Sequence, residues 1–185
     1  MKKTTLKELL LKALKETGEK PEDLVCFWQE VDPQYGWVKV GAPILQGSFD
    51  QIPDREFDAG YGSQEGDVLI AFGPKYVYVK VVYDGAETIK PIPRHPDSVD
   101  WEKRPPYIGS SSEQTTSPEF DGKHEGPQGA LLIAFDPQYI HVKVVHEGAE
   151  WFVPIPRHPT PEDWGGEIPY ICLLSPREVK YVNPS

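Results

Sequence analysis

A chain of 185 residues with 38% hydrophobic and 26% charged residues can bury a real core and has the balance of a soluble globular protein. Its net charge of -10 excludes the basic field that nonspecific binding to duplex nucleic acid or to an anionic membrane requires. No apolar run approaches the ~20 residues of a membrane span. Twenty prolines and sixteen glycines favour short elements joined by many turns.

The first predicted element is a helix within residues 1–20. Leu6, Leu9, Leu10, Ala13 and Leu14 fall at i, i+3, i+4, i+7 and i+8, Thr5 is placed to cap the start, and Gly18 with Pro21 ends the run. One apolar stripe on a short helix needs a surface to pack on, so the helix is expected to cover a sheet face or edge, or to bind a partner. Lys and Glu interrupt its leucines, which removes the apolar core of a signal peptide and points to a cytoplasmic protein.

Residues 21–56 change to a period of two. Leu24 to Val31 and Tyr35 to Gly41 flank Asp32-Pro33-Gln34 and predict a β-hairpin. Cys26, in the first of these runs, and Cys172 match no metal motif and cannot build a disulfide framework; two buried free thiols are expected.

From Phe57 the chain is duplicated. Residues 57–108 and 120–171 align without a gap at an offset of 63, with roughly half of the positions identical. A Ser/Thr-rich linker, 109–119, separates repeat 1 (57–108) from repeat 2 (120–175), and 176–185 form a C-terminal tail. In each repeat three β-rich runs separated by turn residues predict an antiparallel meander whose third strand ends in proline. A single copy is too small to bury its own apolar face, so the fold class is mainly β: an N-terminal helix, an early hairpin, and two tandem meanders packed with pseudo-twofold symmetry.

Alternation along the middle strand assigns faces. Val38 and Val40, then Val77, Val79 and Val81, then Ile140, Val142 and Val144 are placed in the core. The opposite face carries Tyr35, Trp37 and Lys39, then Tyr76, Tyr78 and Lys80, then Tyr139, His141 and Lys143. Such a face is either a half-exposed sheet surface, with lysine stems lying along rings, or a binding face that stacks a planar ligand and holds its anionic group.

A second constellation is Gly-Ala-Glu followed by Pro-Ile-Pro-Arg-His-Pro. It places Glu87, Arg94 and His95 in one copy and Glu150, Arg157 and His158 in the other. An arginine in a proline-framed loop suits bidentate capture of an anion, or it pairs with the glutamate of its own copy. His95 and His158 could also meet across the two copies as the acid and base of a phosphodiesterase. No metal site is expected: His124, His141, His146 and His158 cluster only in the second half, and the five-residue gap between His141 and His146 puts them on opposite strand faces. The glycine-rich Gly60 to Gly66 precedes a strand rather than opening a helix, which reads as a loop or lid rather than a phosphate cradle.

The run "EFDAGYGSQEG…LIAF…YVYVKVVYDGAE…PIPRHP" resembles small bacteriophage and prophage proteins with an F-D-x-G-Y-G start, a tyrosine-rich strand and a P-R-x-P continuation. The likeness covers 57–96 and 120–159, and repeat 2 departs from it at "GKHEGPQG". The resemblance implies a non-virion protein that binds and neutralises a host component. The expectation is therefore a non-catalytic binding protein without a cofactor. It takes a small anionic, nucleotide-like ligand through Tyr78, Lys80, Arg94, His95, His141, Lys143, Arg157 and His158, with Trp101 and Trp164 stacking; the alternative partner is a host protein met through the aromatic face or the helix.

Overall fold

The computed structural model describes residues 3–60, 64–83, 86–95, 97, 132–146 and 149–173. The linker, the C-terminal tail and Trp101 lie outside these residues. The helix forms where its stripe predicts, as α1 (Leu6–Thr17). Thr5 Oγ1 accepts the Glu8 N–H while the Glu8 carboxylate accepts the Thr5 N–H, a reciprocal capping box. Gly18, at φ 77, closes the other end in the left-handed conformation that lets its N–H reach Leu14 O. Just before the helix, β1 (Lys3–Thr4) pairs with β6 (Phe57–Asp58) and ties the start of α1 to the start of repeat 1.

The main sheet runs through repeat 1 and the segment before it. β2 (Val25–Gln29) lies between β5 (Leu45–Gly47) and β7 (Val68–Phe72), and β7 pairs with β8 (Tyr76–Tyr83). β9 (Ala86–Pro93) takes the whole of the other edge of β8. Repeat 2 forms a separate meander of β10 (Leu132–Phe135), β11 (Tyr139–His146) and β12 (Ala149–Pro156). The registers agree position for position at the 63-residue offset: Ile70↔Val79 matches Ile133↔Val142, and Tyr76↔Pro93 matches Tyr139↔Pro156.

The two meanders share one core. Val77, Val79, Val81 and Ile92 from the first belong to the same buried cluster as Phe135, Ile140, Val142 and Ile155 from the second. The chain then crosses back. β13 (Ile171–Leu173) adds in parallel to Val81–Tyr83 of β8, the stretch of that edge that β7 leaves unpaired. Repeat 2 is thus fastened to repeat 1 by backbone hydrogen bonds as well as by side-chain packing.

Three expectations are corrected. The early hairpin is only a tip, β3 (Val31–Asp32) against β4 (Trp37–Val38), because β2 before it is drawn into the main sheet and the Asp67 carboxylate accepts the Val31 N–H. Val40 lies past the end of β4 and is fully exposed, so it is no core residue. The Tyr-ring-Lys face of β8 is not half-exposed: Tyr76, Tyr78 and Lys80 are buried. On that face Leu6, Leu10, Ala13 and Leu14 of α1 join Cys26, Trp28, Leu69, Ala71, Tyr76, Tyr78 and Ile89 in a second cluster. Cys26 is a free thiol there, and burial pushes its pKa up to about 12, so it is an unreactive core residue.

Burial on both faces of β8 forces a charge inside. Lys80 and Glu87, both 0% exposed, pair at 2.5 Å. Lys80 Nζ also donates to the Gly66 and Asp67 carbonyls, and Glu87 Oε1 accepts the Glu65 and Gly66 N–H groups. The pair thereby holds the 64–67 loop against the sheet, and Gly66 is required because a Cβ there would strike the Phe57 ring and the Glu87 carboxylate. Desolvation pulls the Lys80 pKa down and Glu87 opposes it. Lys80→Met, which strands a buried carboxylate, is expected to cost about 3–5 kcal/mol in urea denaturation. Adding Glu87→Leu should recover only part of this, since the loop N–H groups then lose their acceptor.

Candidate functional site

The repeats converge at the ends of their third strands. Pro93 and Pro156 end β9 and β12, and the next residues are held by backbone bonds, Arg94 N–H to Lys75 O (2.8 Å) and Arg157 N–H to Gln138 O (2.9 Å). With the backbone fixed, the two arginines cross over. Arg94 Nε donates to Arg157 O at 2.6 Å, and Arg157 Nε donates to Arg94 O at 3.0 Å. Arg94 Nη1 donates to Gly73 O and Arg157 Nη1 to Asp136 O, at 2.9 and 2.5 Å. Arg94 Nη2 reaches His158 Nδ1 at 3.3 Å, and Arg157 Nη2 reaches His95 Nδ1 at 2.7 Å. Each guanidinium also lies over a phenylalanine of its own repeat, Phe72 at 5.9 Å and Phe135 at 5.6 Å. Every contact on one side has its counterpart 63 residues along on the other.

This seam concentrates positive charge against neutral acceptors. Among the described residues no carboxylate hydrogen-bonds to either guanidinium. Burial lowers the Arg94 pKa, Glu19 raises it through space, and Arg157 lowers it. Each guanidinium has five N–H donors and uses three in the seam, leaving two without an acceptor among the described residues. Because arginine only donates, each histidine must present Nδ1 as an acceptor and carry its proton on Nε2. Desolvation first, then both arginine charges, bring the His95 and His158 pKa values below the ordinary 6.5. The rings lie 6.3 Å apart between centroids.

The remaining expected site residues go elsewhere. Tyr78 is internal: its hydroxyl sits between Thr17 Oγ1 (2.6 Å) and Glu19 Oε2 (2.8 Å) at the end of α1, and burial raises its pKa. Lys80 is used up by Glu87, which also corrects the pairing of Glu87 with Arg94. Trp164 is no stacking platform; it is buried in the core, edge-on to Phe27 at 4.9 Å and stacked on Phe72 at 6.1 Å. Lys143 and Glu150 lie on β11 and β12, and their side chains fall outside the described residues. His141 is half-buried and bonds Asp136 Oδ2 at 2.6 Å.

That last contact exposes a carboxylate site not anticipated from the sequence. Asp136 Oδ1 accepts the Gln138 and Tyr139 N–H groups and Oδ2 meets His141. Its pKa is lowered: desolvation, the largest single effect, works upward and is outweighed by the hydrogen bonds from His141 and these two N–H groups together with the His141 charge. In repeat 1 the equivalent residue is Gly73, and a Cβ there would collide with the Glu19 carboxylate. Glu19 instead accepts the Lys75 N–H and the Tyr78 hydroxyl, at positions equivalent to Gln138 and His141. The same acceptor is supplied locally in repeat 2 and by the end of α1 in repeat 1. The one signal in the sequence was the exchange of Asp136 for Gly73 at a turn whose proline is kept.

No protein-family model, curated protein or solved structure matches the chain. Among the described residues no helix is long and apolar enough to cross a membrane, and no cluster of His, Cys, Asp and Glu could hold a metal ion.

The lowered histidine pKa values set a pH dependence. As pH falls below the unfolded value near 6.5, the unfolded chain takes up protons that the folded seam refuses. The contribution of the seam is complete above that value and is lost as pH falls through the folded values. Melting temperatures between pH 7.5 and 5.5 should therefore fall more steeply for the native protein than for His95→Gln/His158→Gln, whose amides can still accept from arginine. Equal slopes would show that the imidazoles do not titrate in the seam.

Proposed function

We propose that this chain is a non-catalytic binding protein that takes a small oxyanion-bearing ligand at the seam between its repeats. The observation that carries the reading is the convergence of Arg94, Arg157, His95 and His158, with two guanidinium charges that, among the described residues, meet only neutral hydrogen-bond acceptors. The spare N–H groups and the protonated Nε2 of each imidazole are donors without a described acceptor, the chemistry that holds phosphate or carboxylate. The rigid proline-framed backbone supports it, since donors fixed in advance lose little entropy on binding. A nucleotide is the preferred class within this reading, and the resemblance to phage proteins makes a host signalling nucleotide the proposed target.

The same histidines suit cleavage poorly. An acid–base pair needs one protonated ring near neutral pH, whereas both Nδ1 atoms here accept from cations that oppose protonation. A bound phosphodiester should return intact.

Isothermal titration with inorganic phosphate, adenosine monophosphate and a dinucleoside monophosphate tests the proposal. Saturable binding is expected, with the dinucleoside recovered uncut. Arg94→Lys/Arg157→Lys, which keeps the charges and loses the forked geometry, should weaken binding by roughly tenfold or more. A melting curve on the same sample separates lost binding from lost folding. Absence of binding to all three probes by the folded native protein, or equal affinity in a folded double lysine variant, would refute the assignment.

A further inference from the structure

Matching registers mean that the two meanders present the same backbone surface, yet among the described residues only the first has a helix over its outer face. In repeat 1, Tyr76, Tyr78 and Ile89 are buried under α1. The equivalent positions in repeat 2 are Tyr139 and His141, both half-buried, and Phe152. The contrast is sharpest at the last pair: Ile89 is 4% exposed and Phe152 is 47% exposed. Pro154, facing His141 across the β11–β12 ladder as Pro91 faces Tyr78, is exposed as well.

We infer that this outer face of repeat 2 is a docking surface for an amphipathic α-helix of a partner protein, seated as α1 is seated on repeat 1. The occupant is argued from the molecule itself. The duplicated face already accepts a helix with apolar residues at i, i+4, i+7 and i+8, namely Leu6, Leu10, Ala13 and Leu14. The carboxylate site gives the occupant a polarity. Glu19, just past the end of α1, fills the acceptor position in repeat 1; Asp136 fills it in repeat 2. A partner helix with an acid at that point would set two carboxylates together, so the fitting partner carries lysine or arginine there and pairs with Asp136. This inference stands independently of anion binding at the seam.

A peptide of residues 4–20 of this chain tests it, made with Glu19→Lys and cross-linked between Lys12 and Glu16, both exposed on α1. Fluorescein-labelled, it is titrated with the full-length protein and followed by anisotropy. Saturable binding is expected, weakened by roughly tenfold or more when the protein carries Phe152→Asp, an exposed change that leaves the α1 site intact. The same peptide with Glu19 retained should bind more weakly than the lysine form. Absence of binding overturns the inference. So does equal binding to native and Phe152→Asp protein, which would mean that the peptide exchanges into the α1 site instead.

Discussion

β8 is buried on both faces, and the arrangement around it follows from that constraint. One face, Val77, Val79 and Val81, packs into the core shared with repeat 2; on the other, Tyr76 and Tyr78 lie beneath α1 and Lys80 is buried against Glu87 and the 64–67 loop. An ordinary half-exposed strand would leave its tyrosine hydroxyl and lysine amine in water. Here each must find a partner inside. Tyr78 therefore binds the end of α1 through Thr17 and Glu19, and Lys80 pairs with Glu87 and with two carbonyls of the 64–67 loop. The buried polar groups specify where the helix ends and where the loop lies, a role that apolar packing alone performs less selectively.

Repeat 2 reaches the same backbone geometry with different supports. Its meander keeps the registers of repeat 1, and its turn carboxylate comes from Asp136 rather than from a distant helix. Local supply of the acceptor removes the need for a covering helix at that point. The copies thus differ in where the turn carboxylate comes from: the end of α1 in repeat 1 and the turn itself in repeat 2.

Where the copies meet, the arginines act first as structure. Nε and Nη1 of each donate to backbone carbonyls at the ends of the third strands and at the turns, and Nη2 fixes the tautomer of the facing histidine. Whatever chemistry the seam supports is built on groups already held for folding. Among the described residues no carboxylate hydrogen-bonds to the charge they bring, and Glu19 acts on Arg94 only through space.

Much of the fold was legible in the sequence. The period of α1, Thr5 and Gly18 at its ends, the ungapped 63-residue repeat and the alternating valines of β8 are local patterns whose physics acts within a few residues. The convergence of Arg94, His95, Arg157 and His158 was readable as a possibility, because duplicated loops can meet only if the copies pack together. What surrounds a face was not readable. Tyr78 and Lys80 look the same in sequence whether water or other parts of the chain lie above them, and Trp164 looks the same as a ligand platform or as a core plug. The parallel return of β13 to β8 and the substitution of Glu19 for Asp136 join residues far apart in the chain. Such contacts are decided by which surfaces meet when the whole chain packs, and only the tertiary structure records that choice.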